Sequence, residues 1–431
     1  MKKAVVLGAY GLIGAACVRA LRAAGFEVVG IGRSLAAGRR ILPDIAWIAR
    51  DIGRTTAKDW AGLLHDADVV VNASGALQSG ARDNLGAIHE TAIARLVEAL
   101  QGRPVRLIQI SAAGVSEAAS TEFFRSKARG DRLLMASGLD HVILRPTLVI
   151  GREAYGGTAL LRAAAAFPLV RPTVLAMSPI QTVALDDVAA AVVSAARGDI
   201  PGGTVADLTE PGSRRFGETV AAMRGWLGFA PWRWTVPVPD ALLGLVSTAA
   251  DALGWLGWRS PLRSTSIRVL REGIAGDPAP WLAAGGKPCR SLDETLATMP
   301  ATAQERWFAK AYLLLPLLVA VLAAFWTASG LIGLARMEAA MAVLTDRGVS
   351  ATFAAVAVVG GSLVDLALGL GILVRPLARR AALAMTAVAL AYMAGAVALA
   401  PDLWADPLGP MLKTIPAAML SLVAAAMLDE R

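Results

Sequence analysis

Four long apolar runs near the end of the chain constrain its fold more than any other feature. Residues 311–335 and 381–401 contain no Lys, Arg, Asp or Glu. A helix needs about 20 mainly apolar residues to cross about 30 Å of hydrocarbon. Four segments reach this length: Ala311–Ala335, Ser350–Val374, Ala381–Ala400 and Leu408–Leu428. The sequence therefore predicts an all-α four-helix transmembrane bundle, and its 55% hydrophobic and 18% charged residues exclude an ordinary soluble enzyme.

Basic residues near the ends of these runs predict their orientation. Arg306 and Lys310 precede the first run, whereas the link between the third and fourth runs, residues 401–407, contains no Lys or Arg. The second link carries three arginines: Arg375, Arg379 and Arg380. Because Lys and Arg are retained on the cytoplasmic side, we expect a multi-pass protein of the inner (cytoplasmic) membrane with both termini in the cytoplasm.

Two ionisable residues fall inside the predicted spans. Asp365 lies near the middle of the second span, and Tyr392 on the third span is at a similar depth and could donate to it. An ionisable group in hydrocarbon is costly unless it is paired or hydrated. Asp365 is therefore interpreted either as a helix–helix hydrogen bond or as a proton or quinone site, while Lys413 is expected to snorkel toward the outer surface.

The amino terminus is open to two interpretations. Met1–Cys17 starts with two lysines, continues through apolar residues and ends in small ones, which is typical of a secretory signal peptide. However, the run contains three glycines and an amphipathic pattern that continues past Cys17 without a clean cleavage site. A buried parallel strand at Ala4–Leu7 followed by a helix at Leu12–Ala24 fits these residues better.

Glycine spacing between that strand and that helix predicts a dinucleotide site. Gly8, Gly11 and Gly14 form the pattern G-A-Y-G-L-I-G. Such glycines permit a tight turn, close backbone approach to a pyrophosphate and close packing of helix on strand, and the phosphates meet the unpaired amides of the helix N-terminus. Tyr10, inside this loop, is expected to cover the cofactor.

The second strand, Glu27–Ile31, bears on the choice of nucleotide. An acidic residue at its end would bind the ribose hydroxyls of NAD, but the chain has Gly32, Arg33 and Ser34 there. Arg33 would instead meet a 2′-phosphate. The predicted cofactor is therefore NADP, with NAD as the alternative.

Three further strands end in small polar residues, where an open parallel sheet binds its ligands. Ile45–Ile48 leads to Asp51 and Ile52, Asp68–Val71 leads to N-A-S-G at residues 72–75, and Arg106–Ile110 leads to S-A-A-G at residues 111–114. These repeats predict an α/β fold with a Rossmann-type, doubly wound parallel sheet.

This order of motifs, together with L-R-P-T-L-V-I-G at residues 144–151, resembles the extended or atypical short-chain dehydrogenase/reductase superfamily. The likeness covers about the first half of the chain and is strongest to the branch similar to the NADH-dehydrogenase accessory subunit of respiratory complex I. The resemblance implies that the three glycines hold pyrophosphate, Arg33 the ribose phosphate and Asp51 the adenine edge. The cofactor-binding residues expected on these grounds are Gly8, Tyr10, Gly11, Leu12, Ile13, Gly14, Arg33, Ser34, Asp51, Ile52, Asn72, Ala73, Ser74, Gly75, Ser111, Lys127, Arg145, Pro146 and Thr147.

The catalytic pair of that superfamily is incomplete here. Its members use a tyrosine and a lysine four residues apart on one helix face, where the ammonium lowers the phenol pKa and the phenol transfers a proton. In this chain Phe123 precedes Lys127 by four residues, and Ser111 takes the position of the family's substrate-polarising serine. Lys127 with Ser111 could donate the proton, a conjugated acceptor such as a quinone could need little acid help, or catalysis has been lost and Lys127 is only a nicotinamide-ribose ligand. These three explanations remain open, with Ser111 and Lys127 as the catalytic candidates.

The segment before the spans is rich in tryptophan and holds an amphipathic helix. Between Pro239 and Leu256, Asp240, Ser247 and Asp251 fall on one helical face, opposite a set of apolar residues. That apolar set is Leu242, Leu245, Val246, Ala249, Leu253 and Leu256. The helix either packs its apolar face on the sheet or lays that face on the bilayer.

The final 125 or so residues resemble the DoxX-like membrane family, through the segments Arg306–Tyr312 and Leu403–Lys413. The family name hints at quinone or thiosulfate chemistry and implies topology more than activity. We predict three domains: an NAD(P)-binding Rossmann domain at 1–215, a substrate-side or interfacial lobe at 216–305 and a DoxX-like four-helix domain at 306–431.

The remaining features exclude other classes of function. The net charge of +8 comes from scattered basic residues, so no nucleic-acid face is predicted. Cys17 and Cys289 match no disulfide, metal or redox spacing and are expected to be buried thiols. The three histidines, at positions 65, 89 and 141, lie far apart without acidic companions, so no zinc site and no other role is predicted for them.

Two functions follow as hypotheses. The first is a membrane-anchored NADP(H)-dependent oxidoreductase acting on an apolar substrate from the bilayer, such as a quinone or lipid carbonyl. The second is a catalytically silent NAD(P)-binding assembly or sensing protein, resembling the complex I subunit, whose partner is a respiratory-chain protein or a second copy. An epimerase-like activity is disfavoured because it depends on the missing tyrosine.

Overall fold

The computed structural model describes residues 1–77, 84–258 and 260–429. These residues form two compact units. One comprises Met1–Asp251 and Ser260–Arg306, and the other comprises Ala252–Arg259 and Trp307–Arg431. The predicted border between a Rossmann domain and a separate lobe near residue 215 lies inside the first unit and stays a prediction.

The first unit contains the following strands: β1 Lys3–Leu7, β2 Glu27–Gly32, β3 Ala46–Ala49, β4 Val69–Asn72, β5 Arg106–Ile110, β6 His141–Pro146, β7 Leu148–Ile150, β8 Val170–Thr173, β9 Pro179–Ile180, β10 Thr182–Ala184, β11 Thr204–Leu208, β12 Arg214–Arg215 and β13 Trp234–Pro237. Its helices are α1 Leu12–Ala23, α2 Leu35–Ile41, α3 Ala57–Leu63, α4 Ala92–Leu100, α5 Glu122–Met135, α6 Gly156–Ala165, α7 Leu185–Arg197, α8 Phe216–Trp226, α9 Asp240–Trp255, α10 Ser264–Glu272, α11 Ala279–Ala283 and α12 Leu292–Ala297. A π-helical turn at Ala87–Thr91 leads into α4.

The main sheet of this unit has the order β11-β6-β5-β4-β1-β2-β3, and every neighbouring pair in it is parallel. Hydrophobic residues cover both faces. One apolar core lies under α1 and α7, and a second lies under α3 and α4. The chain reverses its winding direction between β1 and β4, where ligands bind in an open α/β sheet. The predicted Rossmann-type fold is confirmed.

The second unit is helical. Its helices are α13 Ala303–Ala335, which begins in the first unit, then α14 Met337–Thr345, α15 Ala351–Gly371, α16 Arg375–Leu399 and α17 Pro410–Asp429. Among the described residues, α13, α15, α16 and α17 are long and apolar enough to cross a membrane. In the apolar stretch of each of these helices, only 22–28% of the residues are buried inside the protein, so most of the apolar surface faces outward. The four predicted spans are confirmed, and α14 in the first link was not predicted.

Candidate functional site

The glycine turn after β1 has the backbone geometry that its sequence predicts. Gly8 has φ of +69°, a conformation that favours glycine, and a Cβ there would lie 2.8 Å from Ser74 Cα. A Cβ at Gly14 would lie 2.2 Å from the carbonyl oxygen of Gly8. The turn therefore brings the ends of β1 and β4 together and allows the first turn of α1 to pack closely against the end of β1.

The start of α1 fits a pyrophosphate. Gly11 is its N-cap, no side chain caps this end and the first turn contains no acidic residue. The first amides of a helix have no intrahelical partner, and those of Leu12, Ile13 and Gly14 belong to this turn. Uncapped amides and the helix dipole together bind phosphate. The residues present therefore fit the diphosphate of a dinucleotide.

Tyr10 links this turn to the end of β2. Its hydroxyl accepts a hydrogen bond from the Arg33 amide at 3.3 Å, and its ring lies against Gly32, where a Cβ would be 2.3 Å from a ring carbon. Arg33 and Ser34 are both exposed. The Ser34 hydroxyl caps α2 by accepting from the Ala37 amide at 3.2 Å. Tyr10 thus positions the backbone at the strand end where the nucleotide is expected to be recognised.

The endings of β3 and β4 are ordered by their own side chains. Asp51 accepts from the Gly53 amide at 3.1 Å, and Ile52 packs against the core under α3 and α4. Asn72 is buried, donates to Gln109 Oε1 at 2.9 Å and accepts from the Ser74 amide at 3.2 Å. Asn72 therefore ties β4 to β5 and shapes the turn through Ala73 to Gly75.

Ser111, at the end of β5, belongs to a buried polar cluster. Its hydroxyl donates to Asp131 Oδ2 at 2.8 Å, and the same oxygen accepts from Arg145 Nε and Nη2 at 3.0 and 2.9 Å. The other oxygen, Asp131 Oδ1, is buried without a hydrogen-bond partner. Burial raises the pKa of Asp131, although the hydroxyl of Ser111 and the guanidinium of Arg145 oppose this rise.

Lys127 lies on the same face of α5 as Asp131. Its ammonium is buried and donates to the carbonyl oxygen of Ile110 at 3.1 Å. Burial lowers the pKa of Lys127 from 10.5 to about 8, and the carboxylate of Asp131 opposes this shift. An amine with such a pKa exchanges protons near neutral pH, as a general acid requires.

Phe123 and His89 complete the surroundings of Lys127. The Lys127 ammonium lies 5.7 Å from the centre of the Phe123 ring, and the His89 ring lies 5.9 Å from that ring. Ser126 donates to the carbonyl of Phe123, so His89 Nδ1 donates to Ser126 at 2.9 Å and His89 Nε2 accepts from the Ala76 amide at 3.3 Å. Burial, and secondarily Lys127, lowers the pKa of His89, so the ring is neutral.

Three residues in this region have contacts that were not predicted. Asp131 holds Ser111 and Arg145, Gln109 holds Asn72, and His89 holds the turn after β4. Asp131 was detectable, because it follows Lys127 by one helical turn. The other two depend on contacts between distant segments.

Residues 145–147 use their polar groups for hydrogen bonds within the protein. The Arg145 side chain is directed to Asp131, and the Thr147 hydroxyl donates to the carbonyl of Leu208 at 3.3 Å. The carbonyl of Pro146 accepts from the Ala113 amide at 3.0 Å. This segment therefore positions the ends of β5 and β11, and its predicted contact with the cofactor stays a prediction.

The two cysteines are present as thiols, as the sequence predicts. Cys17 and Cys289 are free and buried, and burial raises their thiol pKa values to about 12 and about 11. Within residues 1–77, 84–258 and 260–429, no group of three or more His, Cys, Asp or Glu side chains is arranged to hold a metal ion.

A second polar cluster lies within the second unit, whose four apolar helices make it the membrane unit. Asp365 on α15 is 4% exposed and accepts from Ser329 on α13 at 2.7 Å and from Tyr392 on α16 at 2.8 Å. The predicted bond from Tyr392 is confirmed. The carboxylate thus joins three helices of the bundle.

The parallel sheet, the positive-φ glycine and the uncapped helix define a Rossmann-type dinucleotide-binding domain. Residues 8–199 match the family described as NAD(P)H-binding, and residues 323–422 match the DoxX-like family. The chain therefore joins an NAD(P)-binding Rossmann domain to a DoxX-like membrane domain, and the two predicted resemblances are confirmed at this level. No curated protein matches the chain significantly.

Solved structures similar to the first unit share its fold. WbmH from Bordetella bronchiseptica, in complex with NAD+, is 20% identical with a TM-score of 0.52, over 69% of this chain and 97% of that one. UDP-glucose 4-epimerase from Thermotoga maritima, with UDP-glucose, is 14% identical with a TM-score of 0.51, over 68% and 96%. The NADPH-dependent quinone oxidoreductase QOR2 from Escherichia coli, complexed with NADPH, is 16% identical with a TM-score of 0.51, over 68% and 98%.

Proposed function

We propose that the protein is a membrane-anchored, NADP(H)-dependent oxidoreductase of the short-chain dehydrogenase/reductase type. Its substrate is an apolar carbonyl compound from the bilayer, such as a quinone or a lipid carbonyl. The observation that supports catalysis is the state of Lys127, a buried amine with a pKa near 8 that donates to the carbonyl of Ile110, the residue before Ser111.

The chain's own residues supply binding and the proton. A bound nicotinamide would supply a hydride to the substrate carbon. Lys127 would donate one proton to the substrate oxygen, so that a carbonyl becomes an alcohol. For a quinone, the hydrogen added at the ring carbon then leaves as a proton while the second oxygen takes one from water, which gives the hydroquinone from one hydride and one net proton. Because the proton of Ser111 is directed to Asp131, Lys127 is the principal donor, and Ser111 orients the substrate when its hydroxyl turns.

Arg33 supports NADP as the cofactor. It is exposed at the end of β2, and Gly32, Arg33 and Ser34 place no carboxylate there to repel a 2′-phosphate. An arginine pairs well with phosphate through its planar donors. In Arg33→Ala we expect NADPH to bind at least tenfold more weakly and NADH to bind unchanged, measured by fluorescence titration.

The membrane unit supports an apolar substrate. Four spans anchor the chain in the bilayer, where quinones and lipids are concentrated. QOR2, which shares the fold, is an NADPH-dependent quinone oxidoreductase. We further propose an inner membrane location with both termini in the cytoplasm, following the arginines of the second link. This orientation is tested by fusing to each terminus, in turn, a reporter that is active only in the cytoplasm and one that is active only outside it. We expect only the cytoplasmic reporter to be active at both termini.

The test of the proposed activity uses protein in lipid nanodiscs. NADPH oxidation is measured with a short-chain quinone and with a long-chain aldehyde, for the wild type and for Lys127→Met. We expect turnover to fall about 100-fold or more in Lys127→Met, which is the usual scale for loss of a general acid. Lys58→Met, on the exposed surface of α3, is the control and should retain activity.

NADPH affinity separates the roles of Lys127. If Lys127→Met weakens NADPH binding but leaves turnover at saturating NADPH unchanged, Lys127 is a ribose ligand and not the proton donor. The proposal requires the opposite result.

A catalytically silent NAD(P)-binding protein is the second candidate. It is favoured by Phe123, which has no proton to give, and by the hydrogen bond that commits Ser111 to Asp131. Tight NADPH binding by the wild type without turnover would support this function. Phe123→Tyr would then test whether a restored phenol completes the pocket and creates turnover.

A further inference from the structure

Helix α9 exposes its apolar face instead of burying it. The residues that α9 buries are mostly small, with one large apolar side chain among them: Leu243, Ser247, Ala250 and Gly254. The apolar set predicted from the sequence lies on another arc, and its large members are 37–68% exposed: Leu242, Leu245, Val246, Leu253 and Leu256. A helix that packed its apolar face on the sheet would bury these side chains. The interpretation of α9 as a helix packed on the sheet is therefore wrong.

The exposed face is larger than scattered single residues would produce. At 100° per residue, Leu242, Val246, Ala249 and Leu253 fall within about 60° of one another on the helix. Monomeric soluble proteins rarely expose a contiguous apolar patch of this kind, and such patches mark contact with a protein or a membrane. The face therefore needs an occupant.

Contacts at the carboxyl end of α9 indicate which occupant. Ala252–Arg259 belongs to the membrane unit. Trp258 Nε1 donates to the carbonyl of Leu373 at 2.6 Å, and the Arg375 amide donates to the carbonyl of Leu256 at 2.9 Å. Trp258 also packs against the apolar core of the bundle.

These contacts hold the end of α9 at the boundary of the hydrocarbon. Residues 372–374 form the link between the spans α15 and α16, and so short a link between two spans lies at the membrane surface. The Arg375 guanidinium lies 5.6 Å from the Trp258 ring, and Trp255 is 72% exposed. Trp and Arg together are typical of the membrane interface.

We propose that α9 is an interfacial helix whose exposed apolar arc rests in the lipid bilayer, at the level of the headgroups and the first acyl carbons. The partner is the bilayer in which the spans of the same chain sit. This surface does not depend on the proposed enzymatic function, since it rests on the burial pattern of α9 and on the contacts of its last turn.

Two neighbouring positions provide a matched test. Thr248 and Ala249 are both exposed and small, but they point about 100° apart, so that only Ala249 lies on the apolar arc. Cysteine variants Ala249→Cys and Thr248→Cys, labelled with a nitroxide in phosphatidylcholine/phosphatidylglycerol vesicles, report collision with oxygen, which dissolves in lipid, and with a water-soluble nickel chelate. The native cysteines are buried with raised pKa values, so unsubstituted protein should take up little label. Leu242→Cys repeats the test two turns earlier.

The expected result is an oxygen-to-nickel accessibility ratio several-fold higher at Ala249→Cys and Leu242→Cys than at Thr248→Cys. Equal access of the nickel chelate to all three positions would overturn the proposal, because the face would then be in water. Exclusion of both reagents from the apolar arc would also overturn it: with spin–spin broadening the occupant is a second copy, and without broadening it is another part of the same chain. None of these readings requires nucleotide binding or turnover.

Discussion

Replacing Lys127 by methionine should stabilise the nucleotide-binding unit while it abolishes turnover. Methionine has nearly the length of lysine and no charge, so it removes the buried ammonium without leaving a large cavity. Burial lowers the pKa of Lys127 from 10.5 to about 8. One pKa unit corresponds to about 1.4 kcal/mol, so the buried ammonium destabilises the folded state by roughly 3 kcal/mol at pH 7.

Part of that gain is lost with the hydrogen bond of Lys127. Its ammonium donates to the carbonyl of Ile110 at 3.1 Å, and such a bond contributes about 1 kcal/mol. The net stabilisation in Lys127→Met is then about 2 kcal/mol. For a unit of roughly 300 residues, this corresponds to a rise in Tm of about 3 °C.

The pH dependence gives this prediction its sign. Because the folded pKa lies below the unfolded one, the unfolded state binds more protons between pH 8 and pH 10.5, and the wild type gains stability as pH rises through that window. Near pH 10 the cost of the charge falls to roughly 1 kcal/mol, which the lost hydrogen bond offsets. The advantage of Lys127→Met should therefore be present at pH 7 and nearly absent at pH 10.

The assay is thermal unfolding in detergent without nucleotide, followed by near-ultraviolet circular dichroism, at pH 7 and pH 10. Lys58→Met is the control and should shift Tm by less than about 1 °C, because Lys58 is exposed. A lower Tm for Lys127→Met at pH 7, or the same gain at both pH values, would refute the idea that the fold holds a strained ammonium at this site.

Three further substitutions test other parts of the structure. Gly14→Ala places a Cβ 2.2 Å from the carbonyl of Gly8 and should weaken NADPH binding more than tenfold in a fluorescence titration; unchanged affinity would remove the turn from the binding site. Asp131→Asn removes the charge that raises the pKa of Lys127, so the fall in turnover at alkaline pH should begin below pH 8. An unchanged pH profile would show that Asp131 does not control the protonation of Lys127. Asp365→Leu leaves two hydroxyls without their acceptor and should destabilise the bundle by about 1–3 kcal/mol, seen as a lower melting temperature by tryptophan fluorescence, whereas no change would deny it a structural role.

The asparagine variant of Asp365 addresses the alternative role of that residue. Asp365→Asn preserves an acceptor but cannot exchange a proton. If folding and quinone-linked turnover both remain at the wild-type level, the carboxylate is a helix–helix contact and not a proton or quinone site.

Local patterns were sufficient to predict the sheet and its glycine turn. The strand Arg106–Ile110 was predicted at the bounds that the structure has, and Gly8 takes the positive φ that its turn requires. Both depend on residues close together in sequence. Span positions were predicted for the same reason, since a hydrophobic run is itself the signal for crossing a membrane.

Contacts between distant segments were not predictable from one sequence. Asp131 meets Arg145 only because α5 packs beside β6, and His89 reaches Ser126 through a π-helical turn. Helix α9 shows a different difficulty. Its amphipathic pattern fits burial on a sheet and burial in lipid equally well, and only the observed exposure of Leu245 decides against the sheet.

The pH profile of NADPH oxidation by the wild-type protein in nanodiscs, with a short-chain quinone as acceptor, tests the central claim most directly. The account predicts turnover that is constant below pH 8 and falls about tenfold for each unit above it, as Lys127 loses its proton. Tight NADPH binding with no turnover at any pH, or a profile that is identical in Lys127→Met, would contradict it.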